Sequence, residues 1–394
     1  MNPDLERLHP YPFERLRKLL SDLTPPAALS PINLSIGEPR HATPPFILEA
    51  YARALPSVAS YPLTAGLPAL REAFADWAKR RYDLKSIDPG TQVLPVAGSR
   101  EGLFSFAQAV VDRTRPAAVV SPNPFYQIYE GAALLAGARP IYLPTTPANG
   151  FRMEFERLTA AEWAEVQLVY VCSPGNPTGR VVTQSEWVQL FDLADRHDFI
   201  IASDECYSEI YFDEASPPLG ALMAAARAGR DGFERIVVFS SLSKRSNVPG
   251  MRSGFVAGDA EALRKFLLYR TYHGAAMSQP VQIASVAAWR DEGHVVENRR
   301  LYAQKFAQAT PVIARRLRCE VPDAAFYLWA RSPIDDTELA RRLYAEKNVT
   351  VLPGSFLSRD VDGRNPGTGF VRIALVAEPA EVVEAADRIA SLQL

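Results

Sequence analysis

Four short apolar runs in this chain each end in side chains that could do chemistry. Val169–Ser173 is followed by Pro174-Gly175-Asn176-Pro177-Thr178-Gly179, and Phe199–Ser203 by Asp204-Glu205-Cys206-Tyr207. Ile236–Ser240 runs into Ser241-Leu242-Ser243-Lys244 and on to Arg252, while Thr91–Ala97 runs into Gly98-Ser99-Arg100. In an open parallel sheet, ligands bind beyond the carboxyl ends of the strands, so these loops would converge on one edge. An acid, a lysine, an asparagine, a tyrosine, an arginine and a small-residue turn together suit a phosphorylated aldehyde. The lysine amine can condense with the aldehyde, and the acid can pair with a ring nitrogen. Asparagine and tyrosine can hydrogen-bond a ring oxygen. The arginine and a helix N-terminus after Gly98-Ser99 can hold the phosphate.

The elements that must position these loops are legible in the apolar periodicity. Strand-like runs at Gln92–Val96, Ala117–Val120, Arg139–Leu143, Gln167–Val171, Phe199–Ser203, Ile236–Phe239 and Gly254–Ala257 alternate with helical stretches. That rhythm predicts an α/β fold, with a large, mostly parallel sheet flanked by helices. Before it, prolines break the first 45 or so residues except at Tyr11–Leu20, and Gly66–Tyr82 reads as an amphipathic helix. After about residue 280 the pattern becomes a smaller α+β unit. It has a long helical region at Ala284–Leu317, strands at Phe326–Ala330, Val349–Leu352 and Phe370–Val376, and helices around Thr337–Lys347 and Ala380–Leu392. The reading divides the chain into a large cofactor-binding domain at 46–280 and a small domain built from 1–45 and 281–394.

Composition narrows the function further. The 394 residues carry 43 Lys+Arg against 45 Asp+Glu, a net charge of −2 with no basic block, which argues against nucleic acid and against a polybasic membrane tether. No apolar run reaches a membrane-spanning length, and the N-terminal residues are acidic and proline-rich where a signal peptide needs an apolar stretch. Cys172, Cys206 and Cys319 are too few and too scattered for a disulfide framework, and the protein reads as cytoplasmic. There is no glycine-rich nucleotide loop and no His-Glu-x-x-His, so nicotinamide, ATP and catalytic metal sites lack their signatures. Pairs such as Arg299-Arg300 read as solvated helix faces.

The motifs resemble those of the class I/II aminotransferases, the fold-type-I pyridoxal-phosphate family, from Ser35-Ile36-Gly37-Glu38-Pro39 to Phe370-Val371-Arg372-Ile373-Ala374. Ser241-Leu242-Ser243-Lys244 and Arg252-Ser253-Gly254 match that family's lysine signature, with Ser253 standing where an apolar residue is usual. The resemblance implies pyridoxal 5'-phosphate as cofactor and Lys244 as the lysine that binds its aldehyde. It implies Asp204 on the pyridine nitrogen, Tyr207 and Asn176 on the ring oxygen, and Ser241, Arg252, Ser99 and Arg100 around the phosphate. Tyr126 would stack on the ring, and Tyr61 would reach the phosphate of a second subunit in a homodimer with shared active sites. Arg372, with the Gly37 backbone and Asn176 nearby, would clamp the carboxylate of amino-acid and 2-oxo-acid substrates.

The loop Lys244-Arg245-Ser246-Asn247-Val248-Pro249-Gly250 is similar to that of the succinyldiaminopimelate aminotransferase branch. This implies amino exchange between N-succinyl-LL-2,6-diaminopimelate and 2-oxoglutarate, in lysine and diaminopimelate synthesis. Arg40 and Arg100 are candidates by position for the distal carboxylates. The same cofactor residues would also serve an acetylornithine, aspartate or aromatic aminotransferase or a carbon–sulfur β-lyase. A transcription regulator built on this fold would need an N-terminal DNA-binding domain, which the first 45 residues cannot form.

Overall fold

Seven strands form one sheet, in a computed structural model that describes residues 1–393; Leu394, the end of the range 281–394, lies outside the described residues. Across the sheet the order is Val93–Val96, Gly254–Gly258, Ile236–Ser241, Ile200–Asp204, Val166–Cys172, Ala118–Asn123 and Arg139–Pro144. Only Gly254–Gly258 runs antiparallel to its neighbours. Side chains alternate between two buried faces along each strand, which is why the strands read as unbroken apolar runs. Val169, Val171, Ile201, Ile236 and Val238 enter one core with Phe74, Trp77 and Trp289. Leu168, Tyr170, Ala202, Val237 and Phe239 enter the other with Phe106 and Tyr129.

The second layer of structure is built on a three-stranded antiparallel sheet, Leu352–Pro353, Phe370–Ala374 and Tyr327–Arg331. Its core takes residues from the helices Gly293–Ile313, Asp336–Lys347 and Pro379–Ala390. Ile32 and Leu34 belong to the same core, because Ile32–Asn33 pairs in parallel with Val349–Thr350. The run anticipated as one strand at Val349–Leu352 therefore divides between two sheets at Val351.

The long helical region is two helices, Gln279–Arg290 and Gly293–Ile313. The break is built at Asp291, which takes extended backbone and whose carboxylate accepts from the His294 amide at 3.0 Å. Pro311 falls in the last turn of the second helix, where it has no N–H to donate to the Ala307 carbonyl. The first of the two packs on the large sheet's core through Val281, Ala284, Ala288 and Trp289. Arg299 is not solvated: it is 5% exposed and pairs with Glu214 at 2.6 Å and Glu209 at 3.4 Å. Ser253 is buried and shares a 2.7 Å hydrogen bond with Ser285, so the polar residue at this usually apolar position has its own partner. Among the described residues no helix is long and apolar enough to cross a membrane.

Candidate active site

The carboxyl edge of the large sheet opens into a cleft of about 370 Å³. Gly37, Ser99, Arg100, Tyr126, Asn176 and Asp204 line it, with Tyr207, Ser241, Lys244, Arg252 and Arg372. The structure thus brings together every anticipated site residue but Tyr61 and Arg40. Asp204 and Ser241 are the last residues of their strands, and Asn176 lies four residues beyond Cys172, the last of its strand. A larger cavity of about 870 Å³, behind the helix Pro12–Leu20, contains none of them.

One end of the cleft is a cup. Gly98 precedes the helix Ser99–Val110 and has φ +85°, a conformation that favours glycine. A Cβ on Gly98 would lie 2.1 Å from Arg252 Nη2, so the arginine closes over a backbone that must stay bare. The first-turn amides of that helix have no intrahelical acceptors and face the same space. Ser241 Oγ accepts from the Ser243 amide at 3.0 Å and donates to Ser243 Oγ at 2.8 Å. Below the cup, Glu101 takes the Ala97 amide at 3.1 Å and Arg270 at 2.5 Å, which neutralises the acid in the first turn.

The middle of the cleft holds one buried acid. Asp204 is 4% exposed, and burial raises its pKa. Tyr129 donates to its Oδ2 at 2.7 Å and the Cys206 amide to its Oδ1 at 3.3 Å. Sequence reasoning missed Tyr129; its only signal was a place on the helix that follows Tyr126. Beside Asp204, the Cys206 thiol donates to Ser99 Oγ at 2.9 Å. Burial drives the Lys244 amine down to about 8, and Arg372 and Arg252 push the same way. Its Nζ donates to the Gly37 carbonyl at 2.5 Å.

The far wall is arranged around Arg372. Its Nη1 donates to Asn176 Oδ1 at 2.9 Å and its Nη2 to the Ser35 carbonyl at 2.8 Å, while its buried Nε has no partner. The guanidinium lies 4.5 Å over the Tyr327 ring. Tyr327, which the sequence did not single out, shares a 3.0 Å hydrogen bond with Tyr207. A Cβ on Gly37 would meet Tyr327 Oη at 1.9 Å, so only glycine fits against that ring. At the mouth, Arg100 donates to the Tyr126 hydroxyl at 2.7 Å and to the Tyr11 hydroxyl at 3.2 Å. Arg40 lies outside the cleft, 3.6 Å from Glu381. Tyr61 is 99% exposed and does not line the cleft of its own chain.

These residues fit a phosphorylated pyridine aldehyde. The bare Gly98 cup, with Arg252 over it, suits a dianion. Asp204, buried against its charged form, suits a cationic ring nitrogen. A neutralisable lysine amine lines the same cleft, and the Arg372 guanidinium on its far wall bonds only to neutral acceptors, with no carboxylate of its own among the described residues.

Three comparisons bear on the same point. The description "Aminotransferase class I and II" matches residues 30–389. An LL-diaminopimelate aminotransferase of Nitratidesulfovibrio vulgaris is 32% identical over 395 residues, covering 98% of each chain. Among solved structures, an aminotransferase from Neisseria meningitidis is 52% identical, with a TM-score of 0.96 over 99% of each chain. A probable N-succinyldiaminopimelate aminotransferase from Thermus thermophilus is 28% identical, with a TM-score of 0.83 over 96% of this chain and 98% of that one.

Proposed function

We propose a diaminopimelate-type substrate for this chain, which belongs to the class I and II aminotransferase family and works with pyridoxal 5'-phosphate. The observation that carries the reading is the pairing of Lys244 and Arg372 across one cleft, an amine and a carboxylate clamp for the two ends of an α-amino acid. Bound pyridoxal phosphate supplies an electron sink for the charge left when the α-proton departs. Lys244 would hold the aldehyde through its amine, and the same amine, once free, is the group placed to carry the proton. With a pKa of about 8, roughly a tenth of it is neutral at pH 7 and able to accept. Asp204 would hold the ring nitrogen and favour its protonated form. Asn176 and Tyr207 would donate to the ring oxygen, and Tyr126 would cover the ring. Ser241 and Arg252, with the Ser99-Arg100 backbone, would form the phosphate cup. Arg372 takes the substrate α-carboxylate beside the Gly37 backbone.

We propose N-succinyl-LL-2,6-diaminopimelate with 2-oxoglutarate as the pair, in lysine and diaminopimelate synthesis. Three features support it: the Lys244–Gly250 loop, the name of the Thermus relative, and Arg100 at the mouth, whose hydrogen-bond partners are two phenols rather than a carboxylate. The names of the curated relatives favour a second reading, LL-diaminopimelate itself. The two substrates differ by one acyl group, so the assay must separate them. Glutamate should convert the bound cofactor to its amine form and 2-oxoglutarate should return it. The ratio of kcat/KM for the succinylated and free diamines then decides, with acetylornithine, aspartate and aromatic amino acids as controls. A preference of tenfold or more for free LL-diaminopimelate selects the second reading, and one for an aromatic or aspartate pair removes both.

A homodimer completes the proposal. Val58, Tyr61, Leu63 and Tyr272 are large, apolar and 67–99% exposed. The segments that follow these residues are tied together by Gln282, which accepts from the Leu67 amide at 2.6 Å and donates to the Met277 carbonyl at 2.7 Å. A second copy would cover this surface and receive Tyr61 at its own phosphate cup.

A further inference from the structure

Lys244 stands on a helix of four residues, Leu242–Arg245, too short to fix its own main chain by an internal ladder. The carbonyls that such a helix leaves free are held from outside. Asn298, 2% exposed on the helix Gly293–Ile313, donates through Nδ2 to the Lys244 carbonyl at 3.2 Å and to the Arg245 carbonyl at 3.5 Å. Both amide hydrogens are engaged, so the amide cannot flip. Its Oδ1 accepts from Asn247 Nδ2 at 3.1 Å and faces His41 Nδ1 at 2.7 Å. An acceptor at that distance requires a hydrogen on Nδ1, which fixes the His41 tautomer. His41 Nε2 is then a buried atom without a partner, so the ring is held by its Nδ1 bond and by its packing 4.6 Å from Tyr302.

The segment that carries His41 also reaches the other end of the lysine. Gly37 accepts from Lys244 Nζ, Ser35 accepts from Arg372, and Thr43 Oγ1 donates to the Asn247 carbonyl at 2.8 Å. Residues 35–43 therefore contact the amine directly and the lysine main chain through Asn298.

We infer that Asn298, oriented by the Nδ1–H of His41, is a positioning residue that sets where the Lys244 amine stands in the cleft when it carries the proton. The inference rests on the reading of Lys244 as the proton-carrying amine. Asn298 touches neither substrate nor cofactor in this scheme. Its effect is geometric: a shift of the lysine main chain moves Nζ with it, and about 1 Å of misplacement can lower a rate on the order of 10²-fold.

The test uses holoenzyme carrying Asn298→Ala, His41→Ala, His41→Asn or His41→Gln. Asparagine sets its amide nitrogen where Nδ1 lies, whereas glutamine reaches the Nε2 position. The readouts are the half-reaction rate with glutamate and with α-deuterated glutamate, the KM for glutamate, and the melting temperature. Asn298→Ala and His41→Ala should slow the half-reaction roughly 10- to 100-fold and raise the deuterium effect. KM should stay within about twofold, because Arg372 keeps its contacts. His41→Asn should restore most of the rate and His41→Gln should not. Rates that fall only with the folded, cofactor-loaded fraction, at an unchanged deuterium effect, would overturn the inference. Equal rescue by glutamine and asparagine would overturn it too. If Asn298→Ala does not fold, the His41 series decides alone. Loaded wild-type enzyme without the visible band of lysine-bound cofactor would instead overturn the reading of Lys244.

Discussion

Replacing Lys244 by methionine should stabilise the cofactor-free protein, even though it abolishes activity. Methionine keeps the length and apolar stem of the side chain but removes the ammonium. Burial lowers the amine from its ordinary value of 10.5 to about 8, which corresponds to about 3 kcal/mol at ~1.4 kcal/mol per tenfold change in proton affinity. Losing the hydrogen bond to the Gly37 carbonyl returns about 1 kcal/mol, leaving a gain of about 2 kcal/mol at pH 7. The unfolded chain holds this proton up to about pH 10.5, the folded chain only to about pH 8. Between those values the unfolded state binds more protons, so wild-type stability rises with pH relative to the variant; below about 8 the full penalty stands. With an unfolding entropy of roughly 2 cal/mol/K per residue over this length, ~2 kcal/mol raises Tm by about 2–3 °C. Calorimetric melts of both cofactor-free proteins at pH 7 and pH 10 are the assay. All other titrating groups are common to the two and cancel in the difference. The gap should close or reverse at pH 10. A gap of the same size at both pH values would refute the argument that burial of the charge sets it.

Three further outcomes follow from the site. Arg372→Lys should raise KM for the amino donor and the keto acceptor together by roughly tenfold or more, since lysine cannot offer two parallel donors, while the cofactor spectrum stays normal. A change confined to one substrate would place Arg372 on a distal carboxylate. Gly98→Ala should weaken cofactor binding roughly tenfold, in a titration of cofactor-free enzyme, because the new Cβ is strained at φ +85° and lies 2.1 Å from Arg252. Unchanged affinity would mean that Arg252 does not close the phosphate cup. Tyr61→Ala should leave the melt of the subunit nearly untouched but weaken cofactor binding about tenfold, the loss of a hydrogen bond to a charged group. Equal affinity in the variant would remove Tyr61 from the partner's site.

The polar loops of the large sheet were easy to read because burial on both faces makes each strand an unbroken apolar run, and the chemistry begins where the run stops. Asp204 after Phe199–Ser203 and Ser241 after Ile236–Ser240 are of this kind. What the sequence could not reveal depends on contacts across long separations. Tyr129 looks like any core aromatic until its hydroxyl is found on Asp204, 75 residues away. Tyr327 sits in a short strand of ordinary composition, and its place emerges only from the Gly37 Cβ position and the Arg372 stack. Arg299 was misjudged for the reverse reason: a charged pair on a helix suggests solvent, and the carboxylates that bury it lie in the Glu209–Glu214 loop. The break at Asp291 carries no proline or glycine before it; besides its own carboxylate on the His294 amide, it is held by a carbonyl that accepts from Arg245 at 3.1 Å, 46 residues away.

The cleft is arranged so that its two central ionisable groups are both poorly matched to their surroundings. Burial pushes Asp204 toward its neutral acid and Lys244 toward its neutral amine, so neither supports the other's charge strongly. The strong hydrogen bonds of the carboxylate come from a phenol and a backbone amide, not from a cation. Around them Arg100, Arg252 and Arg372 bond to phenols, carbonyls and an amide oxygen instead of carboxylates. A ligand that brings a cationic ring nitrogen, an anionic phosphate and an aldehyde answers each of these mismatches at a different point, and a substrate carboxylate answers the last. The residues of the cleft are therefore better explained as the complement of a bound pyridoxal phosphate and an amino acid than as contributors to the stability of the chain alone. The stabilising effect expected of Lys244→Met is the measurable form of that difference.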